Sequence, residues 1–347
     1  MSSLPVSPTL RRFVRQLKTF VRASEWWGHK FSPLLATAYA TASLSAIPLW
    51  PLLPVFLLQL LGLTVGAVYV SLLNDWTDRA VDLAAGKPNR LAGRSPQFAA
   101  LILGLCLLTG LLLSAYFWIL SPPVGLWYGL AWIVYSLYSL PPARLKEKAF
   151  WGILADATGA HLCPQLFTVG LVGYWSGYTP SLPFWWAVGG WSLTCGIRNI
   201  LWHQLSDEGA DRQAGIRTFV THVGAYPARR LGLWVFFPVE VACLGVMFAL
   251  LNLPLLWLSL GVYVLLEGLR WRCWAQRPQV LTPHQRILLN EYYITFYPLA
   301  LLLTQLSQYA LDGIVLLVHL LLFGGHFAAL FRNVRELKGH FFRPRAS

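Results

Sequence analysis

Apolar runs of about 20 residues follow one another along nearly the whole chain, and each is long enough to cross the hydrocarbon core of a bilayer as a helix. Counted between polar or proline breaks, they place ten spans near residues 31–49, 52–73, 97–118, 123–140, 150–171, 184–206, 230–251, 254–270, 288–306 and 311–331. Lipid offers no hydrogen bonds, so segments inside it must satisfy their own backbone, and recurrent runs of this length predict helices. The expected fold is all-α, a polytopic transmembrane bundle of nine to ten helices, with ten favoured because nine would put the basic tail outside. Only 12% of residues are charged, about half of what a soluble domain carries. No polar block is left over for a separate soluble domain. The organisation read here is a basic surface segment at 1–24, one membrane domain at 25–335 and a basic tail at 336–347.

A net charge of +13 raises nucleic acid as a partner, but the placement of the charges excludes it. With a cytoplasmic N-terminus, all 27 Lys and Arg residues fall in cytoplasmic segments, in the cytoplasmic halves of spans or in the tail. The expected location is therefore a multi-pass membrane protein with its N-terminus and its polar motifs on the cytoplasmic side. The first apolar run begins only at Phe31 and lacks a small-residue cleavage site, so no removable signal peptide is expected. Residues 8–24 read as a partly amphipathic segment on the membrane surface. Five cysteines stand singly in near-apolar surroundings without metal-ligand spacing, and read as small buried side chains.

Two polar motifs interrupt this pattern. After the second span Asn74, Asp78 and Asp82 are spaced i, i+4, i+8, which on a helix lines one face. After the sixth span Asp207 and Asp211 repeat the interval. Carboxylates packed together at a membrane surface need cations to stay ionised. Hard oxygen donors at this density suit Mg²⁺, which takes one or two carboxylates and completes its shell with substrate phosphate oxygens. A metal-bridged diphosphate is the guest these motifs predict. The plain alternative is that the acids cap helices and pair with Arg79 and Arg212 at the surface. Two copies, each at the cytoplasmic end of a span and each with arginine nearby, speak against it.

With these motifs the chain resembles the UbiA family of intramembrane prenyltransferases, which carry NxxxDxxxD after the second helix and DxxxD after the sixth. The stretches Lys87-Pro88-Asn89-Arg90 and Tyr138 to Lys146, with Gly215 and Thr218, extend the resemblance over roughly residues 28–305. It implies a UbiA-type fold, with Mg²⁺ held by Asn74, Asp78, Asp82, Asp207 and Asp211. It further implies diphosphate contacts from Lys87, Arg90, Arg144 and Lys146, with Tyr138 beside the diphosphate or the forming cation. Leu91 and Ala210 depart from common family residues, and so does the approach to the second motif, Asn199-Ile200-Leu201-Trp202-His203-Gln204-Leu205-Ser206-Asp207. There Asn199, His203 and Asp207 share a face with Arg198 beside them, predicting a polar stripe in the same cavity. Polar groups within a membrane are expensive to keep, which makes them functional candidates. Arg198 is expected at the diphosphate, His203 and Asp156 on the acceptor side, and His161, Glu240, Glu267 and Glu291 rank behind them.

The expected function is Mg²⁺-dependent transfer of a prenyl group from a polyprenyl diphosphate to a small aromatic acceptor, by ionisation and carbocation capture. Asp78, Asp82, Asp207, Asp211, Lys146, Asp156 and His203 form the catalytic set. One alternative is a terpene cyclase of the same superfamily, which needs no acceptor. Another, from a different class, is a transporter, whose polar site belongs near the midplane rather than at one end. A CDP-alcohol phosphotransferase needs a compact DxxDGxxAR string that is absent.

Overall fold

The structure is a computed structural model that describes residues 8–84, 86–213 and 215–341. The first seven residues of the surface segment and the last six of the tail lie outside the described residues. Among the described residues the ten expected spans are present as helices, with no strand between them. In chain order they are residues 23–44, Leu53–Thr77, Pro96–Leu120, Pro122–Ser139, residues 150–176, Leu182–Gln213, Ala225–Leu251, Pro254–Trp274, residues 292–308 and Gly313–Phe341. Four helices are by themselves long and apolar enough to cross a membrane: Trp50–Thr77, Pro96–Leu120, Ala225–Leu251 and Ala310–Leu337. The protein is an integral membrane protein. Ahead of the first span, Pro8–Phe20 forms the helix expected of the basic segment.

Proline explains the irregular spans. The first, fifth, seventh and ninth each contain a π turn, at Trp27–Phe31, Thr158–Leu162, Gly232–Phe236 and Tyr292–Phe296. Each π turn runs into an α-helix whose second residue is proline: Pro33, Pro164, Pro238 and Pro298. Proline lacks an N–H, and its ring clashes with the carbonyl four residues back, so the ladder loses a bond and widens there. In the ninth span the released carbonyl is that of Ile294, and Ser32 Oγ donates to it at 2.6 Å. The defect becomes a cross-link between the first and ninth spans.

The first span is the hub. From Leu34 to Ala42 it is buried on every side against the fifth, ninth and seventh spans. Its Ala36, Ala38, Ala40 and Ala42 let neighbouring backbones approach closely, the small-residue packing that helices in lipid depend on. The third span is its opposite, exposing Leu101, Leu105, Leu108, Leu111, Leu112 and Ile119 where lipid tails would lie. The sixth span has 32 residues, so it is about 48 Å long and overshoots a hydrocarbon core of about 30 Å. Its projecting end carries Asp207 and Asp211.

Candidate active site

The two aspartate motifs end in the same way. Past Asp82, the N–H of Lys87 reaches back to the Asp82 carbonyl at 2.8 Å and that of Gly86 to Leu83 at 3.2 Å. Past Asp211, Ile216 and Gly215 repeat this with Asp211 and Arg212, at 2.8 and 3.2 Å. Both are Schellman ends, which need a left-handed residue after the helix, and Gly86 (φ 65°) and Gly215 (φ 67°) supply it. The two stretches thus correspond position by position: Asn74, Asp78, Asp82, Gly86 in one and His203, Asp207, Asp211, Gly215 in the other. Across the first motif the N–H of Asp78 bonds to Asn74 O and that of Asp82 to Asp78 O, at 2.9 and 2.8 Å, so the three side chains keep one face although the helix is interrupted at Asp78.

Between the motifs opens a cavity of about 910 Å³, at the upper end of ligand-pocket sizes. Asn74, Tyr138, Asp156, His161, Asn199 and His203 line it. Asp78 and Asp207 stand one helical turn beyond Asn74 and His203, at its mouth. Tyr138 is the common neighbour, within electrostatic range of Asp78, Asp156 and Asp211. Lys87, from the far side of the first motif, acts on Asp211 of the second.

The first motif is densely tethered. Lys146 Nζ donates to both carboxylate oxygens of Asp78 at 2.6 and 2.7 Å, and Arg144 Nη2 to one of them at 3.1 Å. Burial pushes the Lys146 ammonium down from its ordinary value, and Asp78 pulls it back up. Asp82 accepts from Asn89 Nδ2 at 2.8 Å, and Asn74 Oδ1 accepts from Ser139 Oγ at 2.6 Å. The second motif is bare: among the described residues neither Asp207 nor Asp211 has a hydrogen-bonded or ion-paired side-chain partner. Asp211 is buried to 7% exposure, and burial, with Asp207 beside it, holds its carboxyl above the ordinary range while Lys87 opposes.

Two expected diphosphate contacts are not brought to the mouth. Arg198 is completely buried, bidentate to Glu240 at 2.8 and 2.6 Å, with Nη1 donating to Val280 O at 3.1 Å and Tyr293 Oη donating to Glu240 at 2.8 Å. It lies beside the polar stripe, as expected, but faces the seventh span, where the buried Glu240 needs a cation. Arg90 bonds Asp75 instead, through its N–H at 3.0 Å, and its guanidinium reaches Glu25 at 3.4 Å. Asp75, 1% exposed, fastens the loop after the first motif through Arg90 and also pairs with Arg22 at 3.3 Å. Glu267 and Glu291, ranked behind the others as candidates, form a network with Arg270 and Arg286, with ion pairs of 2.5 to 2.7 Å.

Sequence reasoning passed over Lys30, which flanks the first apolar run. It lines the cavity within electrostatic range of Asp156 and His203 and makes no hydrogen bond or ion pair among the described residues. It also passed over Gln165 and Trp191, whose Oε1 and Nε1 atoms are buried in the cavity wall without partners. A cation, a carboxylate, an imidazole and two orphaned polar atoms thus converge beneath the mouth.

A hydrophobic, aromatic-lined chamber under paired carboxylates and cations suits an amphiphile with an anionic head. A homogentisate phytyltransferase from Synechocystis sp. is 28% identical over 276 residues, covering 72% of this chain and 82% of the relative. A UbiA homolog from Archaeoglobus fulgidus, solved bound to GPP and Mg²⁺, aligns with a TM-score of 0.50 at 16% identity over 83% of this chain and 99% of that one. The same homolog bound to DMAPP and Mg²⁺ gives 0.49 at 15%, over 84% and 98%. Residues 32–290 match the UbiA prenyltransferase family, and the chain belongs to that family of prenyltransferases.

Proposed function

We propose that the protein transfers a prenyl group from a prenyl diphosphate to a small aromatic acceptor, with Mg²⁺ as cofactor. The observation that carries this reading is the pair of matching aspartate helix ends, each of which begins one turn after a residue, Asn74 or His203, that lines one aromatic-rich cavity. Asn74, Asp78, Asp82, Asp207 and Asp211 offer only hard oxygen donors, which fits Mg²⁺. Bound there, Mg²⁺ neutralises the diphosphate and makes it a better leaving group.

Lys146, Arg144 and Lys87 then contact the diphosphate oxygens. Lys146 and Arg144, held on the Asp78 carboxylate, are placed to stabilise the negative charge that develops on the leaving group. Tyr138 and the aromatic wall face the allylic cation, which their ring faces stabilise without reacting. The acceptor sits between Lys30, Asp156, His203, Gln165 and Trp191. Once the first prenyl carbon's bond to diphosphate oxygen has broken, a ring carbon bonds to that carbon, and Asp156 or His203 takes the ring proton. Lys30 is the cation opposite them.

The excess of basic residues on one side supports a cytoplasmic mouth and N-terminus, with Pro8–Phe20 on the membrane surface and the tail on the same side. Purified protein incubated with Mg²⁺ and a panel of prenyl diphosphates, with and without phenolic acceptors, tests the reading by mass analysis. A prenylated ring plus diphosphate, abolished by EDTA, is expected. A cyclic hydrocarbon formed equally well without acceptor would overturn it.

A further inference from the structure

Below the mouth the cavity follows the second span. Gly62, Gly66, Val70 and Asn74 line it at successive turns, so it runs twelve residues, or about 18 Å at 1.5 Å per residue, from the first motif into the bundle. The absence of side chains at Gly62 and Gly66 makes the space. A Cβ at Gly62 would stand 3.3 Å from the Tyr128 ring, and one at Gly66 would stand 3.9 Å from the Trp132 ring.

The far end is shut by aromatics. Tyr128 and Phe167 face the cavity with ring centroids 5.1 Å apart, and Phe117 packs behind both at 5.0 and 4.9 Å. Tyr128 Oη donates to the carbonyl of Gly62 at 3.0 Å, pinning the ring across the passage. One turn further on, Gln59 Nε2 donates to Thr168 Oγ1 at 2.8 Å and joins the second and fifth spans beneath the aromatics. Phe117, Phe167, Gln59 and Thr168 are all buried to 2% exposure or less, so the floor is packed.

Resting on the prenyl-transfer reading, we propose that Tyr128 and Phe167, backed by Phe117, are the length stop for the prenyl donor. Four carbon–carbon bonds of about 1.5 Å project onto about 5 Å per extended five-carbon unit. With its first carbon near Asn74, an 18 Å passage holds three units with slack and four with the chain bent. Five collide with the Tyr128 ring. The donor class is therefore a diphosphate of up to twenty carbons.

The test measures product formation from diphosphates of ten, fifteen, twenty, thirty and forty-five carbons, with one phenolic acceptor. The wild type should use lengths up to twenty and fall by roughly ten-fold or more beyond, since a misfit of many methylenes exceeds the discrimination of one. Tyr128→Ala should raise the ratio of thirty- to twenty-carbon use by at least about ten-fold, and Tyr128→Phe should restore the limit. Phe167→Ala gives a second reading should Tyr128→Ala not accumulate. Gly66→Leu, which narrows the passage about 12 Å below Asn74, should keep ten-carbon use and lose twenty. Equal use of twenty and forty-five carbons by the wild type, or an unchanged length ratio in both alanine variants, overturns the length stop and leaves prenyl transfer standing. No Mg²⁺-dependent turnover at any length overturns both.

Discussion

The two aspartate motifs share spacing and helix ends but not surroundings. Asp78 is held by Lys146 and Arg144 and Asp82 by Asn89, whereas Asp207 and Asp211 have no side-chain partners among the described residues. Four turns of similar backbone therefore present two different electrostatic states. The tethered motif keeps its cations stored on its own carboxylate, ready to move to a leaving group. The bare motif carries the strain of two acids close together, which only an arriving cation relieves. One arm supplies positive charge for the diphosphate and the other supplies the demand for metal.

The largest expected effect comes from deleting either arm. Asp78→Ala and Asp207→Ala should each lower Mg²⁺-dependent diphosphate release by about 10³-fold or more, measured at equal protein levels. If only one did, the arms would not act on one substrate. Lys146→Ala comes next. It should reduce kcat by about 10²-fold while tightening Mg²⁺ binding, because the competitor for Asp78 is gone; Lys146→Arg should recover part of kcat. Weaker binding in Lys146→Ala would show that the lysine positions the carboxylate rather than competing for it.

Acidity should separate the arms more gently. A protonated carboxyl is no ligand, and Asp211 takes its proton above the ordinary carboxylate range. Mg²⁺ affinity should therefore fall on acidification at a higher pH in the wild type than in Asp207→Asn, where the neighbouring charge is removed. The smallest effect concerns stability. Since Asp211's folded pKa lies above its unfolded one, its contribution to stability is present below the unfolded pKa and is lost as pH rises through the folded one. At neutral pH Asp211→Asn should stabilise the metal-free protein slightly and abolish the gain in melting temperature that Mg²⁺ gives.

Much of this was legible in the sequence because it depends on local intervals. Ten apolar runs foretold ten helices, and i, i+4 spacing foretold which carboxylates share a face. The π turns were marked by four prolines, although which carbonyl each would release was not. What stayed hidden is long-range. Lys146 meets Asp78 across 68 residues and Arg198 meets Glu240 across 42, and no periodicity within either segment encodes such a pairing. Arg198 stands beside the active stripe in sequence, yet its guanidinium is taken by a buried acid on another helix. Lys30 was overlooked for the converse reason: at the edge of an apolar run it reads as a membrane flank, yet within the π turn Trp27–Phe31 it lines the cavity.

Whether both arms grip one diphosphate is most directly measured by replacing Mg²⁺ with Mn²⁺, adding a non-ionising prenyl thiodiphosphate and recording the hyperfine coupling between manganese and phosphorus. If both arms grip it, coupling is strong in the wild type and is lost in Asp78→Ala and in Asp207→Ala alike. Coupling of undiminished strength in Asp207→Ala would contradict it.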